Sequence, residues 1–170
     1  MKRRTGPFLG IVLFTLASLP AEAVSPPPVL KIPGAQDRPI TPESLLGANQ
    51  TDVRREDSQG EVTVFHGSPL LEVLEKAGVD TKSMPGQRKL APAVVVVTAR
   101  DGYTVVFSAG ELLMHRSDPR VFLVAETAAG PLPENEGPVR LIVYGDRSRS
   151  SYGLARIELK FLAENAPAKR

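Results

Sequence analysis

The sequence predicts an α+β fold, a mixed β-sheet domain carrying a few short, capped helices. Three observations lead there. Short apolar runs of strand length recur along the 170 residues. The helical signals are few and brief, and each begins at a capping residue. Strictly alternating strand–helix units are missing, which disfavours a doubly wound parallel sheet.

The chain opens with Lys2, Arg3 and Arg4, followed by a mostly apolar, uncharged run over residues 7–19. Ala21-Glu22-Ala23 then places small residues where signal peptidase reads. Residues 1–23 are expected to be a cleaved signal peptide, its apolar run too short to span a bilayer. The Arg3-Arg4 pair before Phe8-Leu9 resembles a twin-arginine signal. Thr5, Gly6 and Pro7 spoil that spacing, which favours Sec over Tat. The expected location is periplasmic or secreted. No membrane span is expected after cleavage, since no other segment reaches that length.

Residues 24–39 are rich in proline and read as an extended lead-in, with an edge strand at 29–32. The domain proper is expected over 40–162. Thr41 caps a short helix with Pro42 at its first position and Gly47 as its stop. Residues 53–65 hold two short strands around Asp57-Ser58-Gln59-Gly60. The clearest helix follows, with Ser68 as cap, Pro69 at its first position and Gly78 as stop. Leu70, Leu71, Leu74 and Ala77 share its apolar face, while Glu72, Glu75 and Lys76 face water.

Strands dominate the rest. Four consecutive valines within 93–99 suggest burial on both faces. Asp101-Gly102 turns that strand back into residues 103–107, both turn residues accepting positive φ. Ser108 and Glu111 offer a capping box for a helix ending at Met114. Strands are expected at 121–125 and 139–144, separated by a Gly- and Pro-rich loop. A polar loop, 145–153, leads into an alternating strand, with Ile157, Leu159 and Phe161 inward and Arg156, Glu158 and Lys160 outward. Residues 163–170 form a frayed tail.

Composition excludes much. With no Cys, disulfides, thiolate metal sites and a Cys nucleophile are ruled out. The formal charge of +2 vanishes on cleavage, which removes three basic residues and one acidic. The exported part is thus neutral, without the basic surplus of a nucleic-acid binder. His66 and His115 are the only histidines, and neither sits in a zinc pattern. Nucleophile-elbow, phosphate-loop and dinucleotide motifs are all missing.

Two features could bind a ligand. The loop Asp146-Arg147-Ser148-Arg149-Ser150-Ser151-Tyr152-Gly153, flanked by Arg140 and Arg156, suits a phosphate or carboxylate through Arg forks, hydroxyls and loop N–H groups. It is equally a solvated loop whose arginines pair with Asp146 or Glu158. Asp101 and Tyr103 offer a carboxylate and a phenol at one sheet end, or are simply good hairpin residues.

Several segments together resemble the sulfite-oxidase-like molybdopterin-binding domain family. Phe65-His66-Gly67-Ser68-Pro69-Leu70-Leu71-Glu72-Val73-Leu74 with Ala77-Gly78 is similar to its aromatic-x-G-V-P-L segment. Ala99-Arg100-Asp101-Gly102-Tyr103 is similar to its A-x-D-G-Y hairpin. Gly137-Pro138-Val139-Arg140-Leu141-Ile142-Val143 is similar to its G-P-x-R-L-V-V-P stretch, and Gly145-Asp146 to its closing G-D. The resemblance covers about 40–162 and implies a truncated version of that fold, with molybdopterin as a possible cofactor. The departures argue against a bound cofactor. Catalytic members ligate molybdenum through a Cys, absent here, and carry a longer N-terminal half. Tyr144 stands where the family has Pro, and Tyr152 where an aromatic, often Trp, is expected. The expected function is a non-catalytic module. Asp101, Tyr103, Arg140, Arg147 and Arg149 would gather at one sheet end around a small anionic ligand or a periplasmic partner protein. The alternative is a molybdopterin-dependent oxidoreductase, or its small subunit, with the cofactor held without a Cys ligand.

Overall fold

A computed structural model of the chain describes residues 25–47 and 50–162. The expected signal peptide and the 163–170 tail lie outside the described residues. The elements run β1 (Val29–Lys31), β2 (Arg38–Pro39), α1 (Pro42–Leu45), β3 (Thr51–Glu56), β4 (Val62–Pro69), α2 (Leu70–Lys76) and α3 (Met84–Leu90). They continue β5 (Val94–Ala99), β6 (Thr104–Ser108), α4 (Ala109–Met114), β7 (Val121–Thr127), β8 (Gly130–Pro131), β9 (Arg140–Val143) and β10 (Leu154–Lys160). The α+β class holds: two sheets carry a few short helices. One sheet has the order β2-β1-β10-β5-β6 and the other β3-β4-β7-β8, with β9 also pairing with β7. The pairing of β1 with β10 is parallel, and the rest are antiparallel.

The main core lies between the sheets and under α1, α2 and α4. Leu30, Val95, Val97, Phe107, Ile157 and Leu159 enter it from the first sheet, and Leu123, Ala125, Leu141 and Val143 from the second. A second, smaller cluster of Val53, Phe65, Phe122, Val124 and Ile142 covers the opposite face of the second sheet. This is why every residue of β9 is buried and β7 is buried over Val121–Ala125. The valine run of β5 instead alternates, with only Val95, Val97 and Ala99 fully buried. Burial on both faces was expected there and is found one sheet away.

Other expectations are corrected locally. The strand at 29–31 is second from the edge, because β2 pairs outside it. Ser68 does not cap α2. It ends inside β4, fully buried, and its hydroxyl donates to the Leu45 carbonyl at 2.9 Å. Pro69 is the N-cap and brings no side-chain hydrogen bond. Ser108 and Glu111 form no capping box, because Glu111 turns toward Arg149. Only Gly102 of the Asp-Gly pair has positive φ (87°). The Gly102 N–H donates to Ala99 and the Asp101 carboxylate takes the Tyr103 N–H at 2.9 Å, the geometry of a type I turn closed by a glycine bulge. Glu75 does not face water. It accepts bonds from Thr81 and Arg116 and pairs with Lys82. Phe161 lies past the end of β10, exposed, with the Lys89 ammonium 5.5 Å from its ring centre. The loop after β7 holds the short β8. Helix α3 had no sequence expectation, although Ser83 caps it through the Gly86 N–H at 3.0 Å.

Candidate functional site

The five residues expected at one sheet end divide into two groups. Asp101 and Tyr103 lie at the β5–β6 turn, and the Tyr103 hydroxyl donates to the Ser148 carbonyl of the 145–153 loop. Arg149 anchors the same loop. Its Nε is 2.8 Å from Asp146 Oδ2, its Nη1 and Nη2 are 3.2 Å from Glu111 Oε1, and its guanidinium lies 5.2 Å from the Phe107 ring centre. A hydrogen bond from the Ser148 hydroxyl, with Arg149 beside it, holds the Asp146 carboxyl at a pKa of about 2. Asp146 in turn raises the pKa of Arg149. With two carboxylates on it, Arg149 is a loop anchor rather than an open anion receptor.

Arg140 is elsewhere. It stands two residues from Ile142 on β9, shares its face and so projects into the smaller cluster, on the side of the second sheet turned away from the main core. Its side chain is only 7% exposed, and Nη1 donates to Glu136 Oε2 at 2.6 Å. The guanidinium carbon is 4.1 Å from the Tyr152 ring centre and 5.0 Å from that of Phe65. Such contacts are worth roughly 2 kcal/mol when desolvated.

The neighbouring cation is Arg55. It stands two residues from the buried Val53 on β3 and therefore on the same face. Burial is the main force lowering its pKa, and the like charge of Arg140 is next, with Arg147 adding to it. Arg147 itself donates from Nη2 to the Glu56 carbonyl, tying the loop to the end of β3. So Arg140 and Arg147 converge, but on Arg55 rather than on Asp101 and Tyr103.

Among the described residues, two buried side-chain polar atoms lack a hydrogen-bond partner: Arg55 Nη1 and Arg140 Nε. Leaving a buried donor unmade costs about 1–3 kcal/mol, more for a charged group. That both are guanidinium nitrogens in one cluster marks a place where an anion would be stabilised. Sequence reasoning missed Arg55, Phe65 and Glu136. The signal for Arg55 was its two-residue spacing from Val53, but the adjacent Arg54 hid which arginine faces inward.

The other candidates place differently. His66 lies within β4 and pairs through Nδ1 with Asp52 Oδ1 at 2.8 Å, and His115 caps the end of α4. A cleft of about 550 Å³ between α2 and α4 holds none of the five expected residues. A shallower one of about 450 Å³ includes Asp101 and Tyr152. The molybdenum cofactor implied by the resemblance would find no thiolate ligand here, because the chain has no Cys. Among the described residues, no three His, Cys, Asp or Glu side chains converge to hold a free metal ion. No family model matches the chain, and no curated protein matches it either.

Proposed function

We propose that the chain is an exported, non-catalytic binding module, a short relative of the sulfite-oxidase-like molybdopterin-binding domains, that holds a small anionic ligand. The site is the face of the second sheet where Arg55, Arg140 and Arg147 meet beside Tyr152. One observation carries this reading: a nine-tenths buried arginine with its Nε unpartnered stands beside a second arginine with a buried, unpartnered Nη1. Three guanidinium charges there face the one carboxylate of Glu136, so the balance favours an entering anion. The family-like segments around Asp101 and Arg140 support the fold relationship, and fold alone brings no activity with it.

The test is the melting temperature in sodium formate, acetate or sulfate against chloride at matched ionic strength. The native chain should gain stability with anion concentration, as any ligand of the folded state confers. Arg55→Gln, at a half-buried position, should fold and lose most of that gain. An equal response from both proteins would assign the gain to bulk salt and end the reading.

A further inference from the structure

The outermost strands of the two sheets are β2 and β6 in the first and β3 and β8 in the second. Such edges offer unpaired backbone groups to any passing strand, and proteins blunt them. Three of these four are blunted. β2 and β8 are two residues long, and each includes a proline, Pro39 and Pro131. β3 carries Asp52, Arg54, Arg55 and Glu56. Even β9, paired with β7, has its other side bridged by Ser151. β6 has none of these devices. Its five residues, Thr104-Val105-Val106-Phe107-Ser108, carry no charge and no proline. We propose that β6 is the interface with a second copy of this chain, the two strands pairing antiparallel about Val106.

The ladder to β5 fixes which groups are free. The Ala99 N–H donates to the Tyr103 carbonyl, and the Ala109 N–H to the Ala93 carbonyl. The hydrogen-bonded pairs between them are therefore Val97–Val105 and Val95–Phe107. The N–H groups of Thr104, Val106 and Ser108 point away from β5, as do the Thr104 and Val106 carbonyls. No backbone partner among the described residues takes them up. In the proposed pairing, the Val106 N–H of each copy donates to the Val106 carbonyl of the other. The Ser108 N–H donates to the opposite Thr104 carbonyl.

The side chains suit a partner of their own kind. Val106, 53% exposed, meets Val106, and Thr104 meets Ser108, both favourable cross-strand pairs. On the outer face, Val96 stands beside Val106, so four valines run in one row across the axis. The charges of that face, Lys31, Arg156, Glu158 and Lys160, lie on β1 and β10, two or more strands back from the edge. No like charges meet at the axis. The far edge in each copy is β2, whose shortness and proline stop further growth, so the pairing closes at a dimer.

Sedimentation of the purified native chain from roughly 1 to 500 μM tests this. Pairing of one short strand should bury no more than about 1,000 Å², the lower bound for specific interfaces, so a weak dimer should appear as concentration rises. Val106→Lys sets two ammonium groups against each other on the axis. It should weaken dimerisation roughly tenfold or more, and should melt like the native chain in dilute solution. Hydrogen exchange needs no variant. The Val106 and Ser108 amides should slow roughly tenfold on dimerisation, while those of Val105 and Phe107, already bonded to β5, should slow less. A native chain monomeric throughout would remove a second copy as the occupant and leave the edge to a strand of another protein. A dimer that Val106→Lys leaves intact, or whose formation does not slow the Val106 and Ser108 amides, would put the interface elsewhere and overturn the proposal.

Discussion

Gly67 shows how much one side chain can decide. It lies in β4 where that strand slips register against β7. A Cβ there would sit 2.0 Å from the Leu123 carbonyl oxygen and 2.7 Å from the Val124 Cα, both backbone atoms that cannot swing aside. Gly67→Ala should therefore destabilise the protein by about 3 kcal/mol or more, the upper range for overpacking. Denaturant unfolding checks this, and a loss below ~0.5 kcal/mol would mean the strands part more easily than their packing implies. Within the resemblance, this glycine was one letter of a motif. Its physical role is the close approach of β4 to β7, beside which Phe65 reaches Arg140. The same contrast holds for arginine. Arg149 and Arg140 look alike in sequence, yet one carries two carboxylates and the other carries one and keeps a buried Nε without a partner.

The helices show where local signals suffice. Thr41, Pro42 and Ser83 do in the structure what their types suggest, because a cap needs only its own next turn. Ser68 carries the same signal, a Ser-Pro before an apolar run, and does something else. Pairing with β7 keeps it in extended β4, and its hydroxyl instead joins that strand to the end of α1 through the Leu45 carbonyl. Ser68→Ala should cost about 1–2 kcal/mol, because a buried carbonyl loses its side-chain donor. A helix cap lost at the surface would cost a similar amount, so the readout is local. Hydrogen exchange should quicken in α1 as well as in α2. Faster exchange in α2 alone would restore Ser68 to the role of cap. Strand positions were mostly legible from apolar runs, while their burial was not. The alternation that exposes one side of β5 depends on nothing packing there, and the double burial of β7 and β9 depends on the smaller cluster.

Two acidic groups act as clasps, Glu75 between α2 and distant Arg116 and Asp146 within its own loop, and both titrate below their ordinary range. Asp146 holds the 145–153 loop through Ser148 and Arg149, with its pKa near 2. Burial would raise the pKa of Glu75, but hydrogen bonds from Thr81, Arg116 and Lys82 outweigh it and bring it down. Each folded-state pKa lies below its unfolded value. Their stabilisation is therefore complete above about pH 5, past the ordinary carboxyl range, and is lost as pH falls through the folded values. Unfolding followed from pH 6 to pH 2 should show stability falling mainly below about pH 4. Asp146→Asn should flatten the lowest part of that decline, and an unchanged profile in this variant would remove Asp146 as a contributor.

The α+β class, the order of most elements, the Asp-Gly turn and the caps of α1 and α3 follow from interactions within a few residues of one another, so the chain's own letters contain them. The arginine site does not. Arg55 is far in sequence from Arg140, and the face each presents depends on strand register in a sheet whose second side is buried. Only the packing of that sheet decides which arginines are paired off at the surface and which are left, buried and half-satisfied, facing one another. That outcome reflects the high cost of burying an unpaired charge, a cost set by neighbours brought from elsewhere in the chain.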